Sequence, residues 1–369
     1  MKNIRASIKT VLLVLIAVSC GAAFAWADSY SWQNLQSDIH GVAAHADPNL
    51  VNPWGLAASS GGTIWVANNG TGTSTLYAQD GTANSLVVAV PKSHHNHDGA
   101  NPTGIVFNST SFFVVTKNGV SGPSRFIFAS EDGSISGWNP QVDPTKAIIA
   151  VDNGGGGHHR DNMDGNRNNN NDLDNGGNND QNRAIYKGAA FGVANGHNFL
   201  YVTNFHSGHV ETYDESFHKV NQNGFSDPDL PSGYAPFGIH NLDGQIFVAY
   251  AKQDQRREDE VAGPGKGFVD VFDTSGNLIR RVVSHGNLNA PWGLALVNGE
   301  LWVGNFGDGK INNYDPATGA FLETLSRADG TPLEFDGLWD LLPLGDGVYF
   351  TAGIADEAHG LFGLITEDK

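Results

Sequence analysis

The 369-residue chain has one cysteine, Cys20, two methionines, and only 21 Lys+Arg against 39 Asp+Glu. A single thiol forms no disulfide within the chain and leaves no Cys-ligated metal centre to build. Few basic residues and a formal net charge of −18 argue against nucleic acid or an anionic membrane surface as partner, since neither would gain from counterion release. No apolar run reaches the length of a membrane span. Beyond the N-terminus no segment holds a helical period, and G-x-S-x-G, H-E-x-x-H and P-loop sequences are missing, so the motif-marked enzyme classes gain no support.

What the chain does have begins at its start. Lys2, Arg5 and Lys9 precede a short apolar run, Val11 to Val18, and Ala25-Trp26-Ala27 closes it in an A-x-A pattern. That order predicts a secretory signal peptide over 1–27 and a secreted or periplasmic mature protein. Lipid anchoring through Cys20 is disfavoured, because Ala17-Val18-Ser19 lacks a large aliphatic residue three positions before the thiol. Cleavage removes three basic residues and no acid, leaving 18 basic against 39 acidic side chains. A soluble monomer without a membrane span is expected.

Residues 28–369 read as one all-β domain. Six times a Gly follows a Pro or aromatic and opens an apolar run: Trp54-Gly55-Leu56, Thr103-Gly104-Ile105, Phe191-Gly192-Val193, Phe237-Gly238-Ile239, Trp292-Gly293-Leu294 and Asp336-Gly337-Leu338. The Gly-to-Gly spacings are 49, 88, 46, 55 and 44 residues. A period near 45 residues, with alternating apolar positions between Gly/Asn/Asp/Pro turns, predicts four-stranded sheets arrayed as a β-propeller. The long interval contains an Asn/Asp/Gly tract at about 154–182, read as a disordered insertion in one swollen repeat. Six blades are expected; a strand at 112–116 would found a seventh in the rival count. The last copy lacks a fourth strand, and Tyr30 to Leu35 alternates aromatics, so the N-terminal segment should close the ring.

Propeller topology puts the loops entering each blade and the loops between second and third strands on one face, which we call the loop face. Side chains with chemistry gather there in the sequence. Trp54 and Trp292 can stack on flat ligands or pack as core. Asn68, Asn204 and Asn305 recur at one repeat position, which suits turn formers more than ligand contacts, though they are candidates for both; Asp132, His206 and Asp308 lie beside them. His94, His95, His97, His206, His359 and Asp308 are candidate metal ligands, for calcium, zinc or copper, if they converge. Asp356, Glu357 and His359 break the repeat pattern, and with His240 they are the candidate acid–base residues. Glu131 is a further one, and the charged loop 253–266, with Asp259 and Glu260, reads as a lid.

Phrases such as Asn52-Pro53-Trp54-Gly55-Leu56-Ala57, Gly233-Tyr234-Ala235-Pro236-Phe237 and Gly267 to Asp273 resemble a secreted bacterial propeller family of no assigned activity. More distantly the repeat is similar to NHL-repeat propellers, including virginiamycin B lyase-like ones, and to gluconolactonase-like calcium propellers. The resemblance implies the fold and no mechanism. The expected function is therefore binding of a small or oligomeric, carbohydrate-like ligand at the channel on the loop face. A divalent-metal-dependent lyase or lactonase and a protein-interaction scaffold are the alternatives, and whether the protein is an enzyme stays open.

Overall fold

The structure is a computed structural model that describes residues 28–95, 99–155, 183–220 and 224–368. Five four-stranded antiparallel sheets form in sequence order, beginning with the inner strands Pro53–Ala58, Pro102–Phe107, Tyr186–Ala194, Tyr234–Leu242 and Pro291–Val297. The sixth begins at Leu338–Leu344 and runs through Gly347–Ala352 and Leu361–Glu367 to Tyr30–Ser37, beyond which the two-residue strand His45–Ala46 pairs in parallel. That N-terminal strand pairs antiparallel with the last one, from Tyr30 opposite Glu367 to Ser37 opposite Leu361. The ring thus closes through the two ends of the described chain, as the missing last strand predicted. The expected strand around 112–116 is instead part of a separate hairpin, Val114–Lys117 with Val120–Pro123, inserted between the first two strands of blade 2. It founds no seventh blade.

Apolar packing follows the ring. Six buried clusters each join two neighbouring blades, including one between blades 6 and 1 built from Leu35, Leu56, Val66, Tyr349 and Phe362. A seventh lies on the axis and plugs the channel with Trp54, Phe205, Phe237, Trp292 and Trp339. Trp54 stacks on Trp339 at 3.4 Å between ring centroids, and Trp292 meets both edge-on at 6.1 Å.

All six inner strands carry a β-bulge at one place, where one extra residue is taken in before the pairing resumes. A bulge re-aims the side chain it carries, and here it turns one residue of each blade toward the axis. Next to it five of the blades carry a glycine, because neighbouring inner strands nearly touch there. A Cβ at Gly55 would come within 2.6 Å of the Thr103 carbonyl oxygen, and one at Gly293 within 2.5 Å of that of Trp339. These contacts correct the repeat register. In blade 3 the glycine against the next strand is Gly188 rather than Gly192, and in blade 6 the position belongs to Asp340 rather than Gly337. Spacings become 49, 84, 50, 55 and 47 residues. The residues turned to the axis are then Trp54, Thr103, Lys187, Phe237, Trp292 and Trp339. Five are uncharged and one is a lysine.

Candidate functional site

Lys187 sits where other blades place an aromatic ring or Thr103, and its side chain is 1 % exposed. A buried ammonium is costly unless paired. Its Nζ meets Glu131 Oε1 at 2.5 Å and Asp259 Oδ1 at 3.4 Å, and stands over the rings of Trp54 and Phe205 at 5.3 and 5.8 Å. Burial alone would push the lysine down; Glu131, with Glu260 and Asp259 behind it, outweighs burial and holds the ammonium above its ordinary range.

The acids exceed what one lysine neutralises. Burial pushes Glu260 up to about 7 against the pull of Lys187, with Glu357 and Asp259 adding to the rise. Glu357 is raised as well, first by burial, then by the charge of Glu131, and is partly offset by a hydrogen bond from Asn52. That bond, Asn52 Nδ2 to Glu357 Oε2, is 2.6 Å long, and Asn69 Nδ2 likewise donates to Glu131 Oε2 at 2.8 Å. Asn52 also accepts from Trp339 Nε1 at 2.9 Å, while Trp292 Nε1 donates to the Lys187 carbonyl at 2.9 Å. The loop-face mouth is therefore one polar network laid on an aromatic floor, with the 253–266 loop contributing Asp259 and Glu260 from blade 4.

Glu357 reaches this network by an expensive route. Ala355, Asp356 and Glu357 stand consecutively in the left-handed region at φ of 57°, 53° and 63°. Non-glycine residues pay roughly 1 kcal/mol or more each there. The turn is held by Ala355 N–H donating to Asp336 and Glu357 N–H to the Gly353 carbonyl.

The other expected site residues sit elsewhere. His359 binds Asp38 at 2.7 Å, in the seam that ties blade 6 to the N-terminal strand, and Asp356 is exposed at the crest of its turn. Asn68 is buried with its amide on Thr73 and Thr75; Asn204 donates to Glu211 and accepts from Ile185 and Ser207 N–H groups. Asn305 bridges Asn287, Asn289 and Asp308. These three amides clamp their own loops. Asp132 is buried and accepts from Ser93 and Ser134 N–H groups, which pins the loop entering blade 2; burial raises it, and those bonds oppose the rise. His94 pairs with Asp152 at 2.6 Å, the His95 N–H donates to Ser93 Oγ, and His97 lies outside the described residues. His206 is buried beside Phe205. The expected convergence of His206, His359 and Asp308 does not occur: each is placed in a different blade turn, and among the described residues no three His, Cys, Asp or Glu side chains are arranged to hold a metal ion. Trp54 and Trp292 belong to the channel plug, each 2 % exposed. His240 lies beyond the plug, toward the opposite, turn face, where Nε2 meets Asp340 Oδ1 at 2.9 Å.

Sequence reasoning missed Lys187, Asn52 and Asp340 as site residues. One signal was available: Lys187 is the only charge in Ala184-Ile185-Tyr186-Lys187-Gly188-Ala189-Ala190. It stands out once Gly188 is aligned with Gly55 and Gly293.

No family model matches the chain. An uncharacterised protein of Acanthamoeba polyphaga mimivirus is 29 % identical over 350 residues, covering 91 % of this chain and 80 % of its own. That relative is viral, so the bacterial attribution of the resemblance is not supported. Among solved structures, virginiamycin B lyase from Staphylococcus aureus aligns with a TM-score of 0.50 at 15 % identity, over 92 % of this chain and 99 % of that one. A gluconolactonase from Xanthomonas campestris gives 0.50 at 12 % identity over 87 % of each. At such identities the likeness is one of fold, and the fold is that of virginiamycin B lyase-like propellers. Among the described residues no helix is long and apolar enough to cross a membrane.

Proposed function

We propose that the protein is a ligand-binding propeller whose loop-face mouth takes a small organic cation, an amine carried on a small or carbohydrate-like molecule. The observation that carries this reading is the excess of carboxyl groups around Lys187. Glu131, Asp259, Glu260 and Glu357 surround one ammonium, and two of them are raised by burial. A second ammonium would take the place of the proton whose loss burial makes costly at Glu260. Asn52 and Asn69 hold the carboxylates in position, the rings of Trp54 and Phe205 already face one cation, and among the described residues no other three consecutive non-glycine residues stand in the left-handed region as 355–357 do.

Titrating the full chain with putrescine, glucosamine and choline, read by tryptophan fluorescence and calorimetry, tests the reading. Saturable binding of at least one, weakened tenfold or more by Glu357→Gln, is expected; no saturation by any of them overturns it. Because Glu260 titrates near neutrality, the site also has the means for proton transfer. Turnover of a lactone or streptogramin-type substrate in the same preparation would make it the lyase or lactonase of the second reading. Export through residues 1–27 belongs to the same proposal, and the intact mass of the exported product, with or without a start at Asp28, checks it.

A further inference from the structure

On the turn face the channel is open. Beyond the aromatic plug lies a cavity of about 260 Å³, lined by Gly55, Ala57, Gly104, Ala190, His240 and Asp340 among others. Part of the wall is made of Gly and Ala, which bare the channel edges of the inner strands, and apolar side chains such as Ile105, Val106 and Ile239 make much of the rest. Two positions depart from that pattern. Asp340 replaces the glycine of the other five blades, and His240 stands two residues past Gly238 where the corresponding residues are Ala57, Val106, Ala190, Ala295 and Leu342. The two departures meet, although 100 residues separate them in the chain.

Part of this is structural. Asp340 accepts the Leu56 N–H at 2.7 Å and the Leu341 N–H at 2.8 Å, clasping the seam between blades 6 and 1. His240 is not needed for that clasp. With both backbone donors and the imidazole directed at it, the Asp340 carboxyl acts as an acceptor throughout, which assigns the ring hydrogen to Nε2. Nδ1 is then an acceptor, buried and without a partner. A buried acceptor left unpaired calls for a donor the protein does not supply.

We infer that the turn-face mouth is a second binding site, for a neutral polyhydroxylated ring of monosaccharide size, held by the His240–Asp340 pair. Three features select this class. The ligand must donate a hydrogen bond, because the free nitrogen accepts. It must be uncharged, because Asp340 is 4 % exposed with its oxygens already engaged, and a new charge beside it would go unpaired. It must be small, because the volume lies just below the ~300 Å³ at which pockets for larger ligands begin. A ring with apolar faces and hydroxyl edges suits walls of Ala57, Ile105 and Ala190 interrupted by His240 and Asn241. A neighbouring cavity of about 220 Å³ shares Phe107, Phe191 and Asn241 with its lining, beside Asn108 and Phe113 at the inserted hairpin.

The test uses the full chain with D-glucose, D-galactose, D-mannose and myo-inositol, followed by calorimetry and by the ¹⁵N resonances of the His240 ring. At least one should saturate and shift Nδ1 toward a hydrogen-bonded value. His240→Ala should fold, since three other blades carry alanine there, and should lose tenfold or more in affinity; Glu357→Gln should bind unchanged. Failure of all four to bind, an Nδ1 signal unmoved by any of them, or affinity preserved in His240→Ala would overturn the inference. The amine titration reads the other mouth, so either proposal can fail without the other.

Discussion

The two mouths of the channel are made by the same six strands and share the same aromatic plug, yet they differ in kind. At the loop face long connections bring in charge, and nearly every described polar group there binds another, with Lys187, Glu131, Asn69, Asn52 and Glu357 in contact through one network. At the turn face most connections are short, the hairpin of blade 2 excepted, the walls are largely uncharged, and one His–Asp pair interrupts them. Each mouth gets its character from a residue that departs from the repeat: a lysine for an aromatic ring, an aspartate for a glycine, a histidine for an alanine. In a repeat scaffold the packing demand at equivalent positions is nearly equal, so a departure that costs burial or strain marks a place where packing is not the governing requirement.

The contrast can be broken most forcefully at Lys187. Lys187→Met leaves Glu131 facing an apolar side chain and should cost about 3 kcal/mol or more in urea unfolding. Glu131→Gln in the same chain should recover part of it. Strict additivity of the two substitutions would show that the pair does not interact.

Glu260 comes next. Its folded value near 7 exceeds the ordinary glutamate value, so the native state binds a proton that the unfolded chain releases. Stability from this group is thus present in mild acid and is lost as pH rises from about 4.5 through 7. Glu260→Gln should flatten that slope and raise stability at pH 8 by on the order of 1–2 kcal/mol. A parallel pH profile for the two proteins would place the carboxyl in solvent. Amine affinity should rise over the same window, because Glu260 must release its proton to receive a cation.

Glu357→Gln should lower amine affinity about tenfold, or about 1.4 kcal/mol, while stability changes by less than about 1 kcal/mol. A collapsed fold with unchanged affinity would make the residue structural. Smallest of all should be the effect of replacing 156–182, which lie outside the described residues, with a short Gly/Ser linker. The segment has few side chains that could bury area, and the melting temperature should stay within a few degrees. A large loss that appears only in calcium-free buffer would assign the tract a cation.

Much of the fold was legible in the sequence because its signals are local. Alternation, turn residues and the unpaired last blade are each read within a few residues, and Tyr30 to Leu35 needed only the count of strands to find its place. The candidate sites were less legible. Glu357 and His240 were visible as departures, whereas Asn68, Asn204 and Asn305, equally polar, proved to bind their own loops. A turn asparagine and a ligand-binding one look alike until the partners of their amides are known.

By itself the sequence determined six strand repeats, the strand that closes them and the acidic balance, since hydrophobic period and composition are properties of neighbouring residues. Tertiary structure alone decided the register of the third and sixth copies, because only the close approach of adjacent inner strands identifies Gly188 and Asp340 as the equivalents of Gly55. It alone brought Lys187 to Glu131 across 56 residues and His240 to Asp340 across 100. Blades arranged about an axis converge on it from every part of the chain, and that convergence is set by ring closure, which no window of sequence contains.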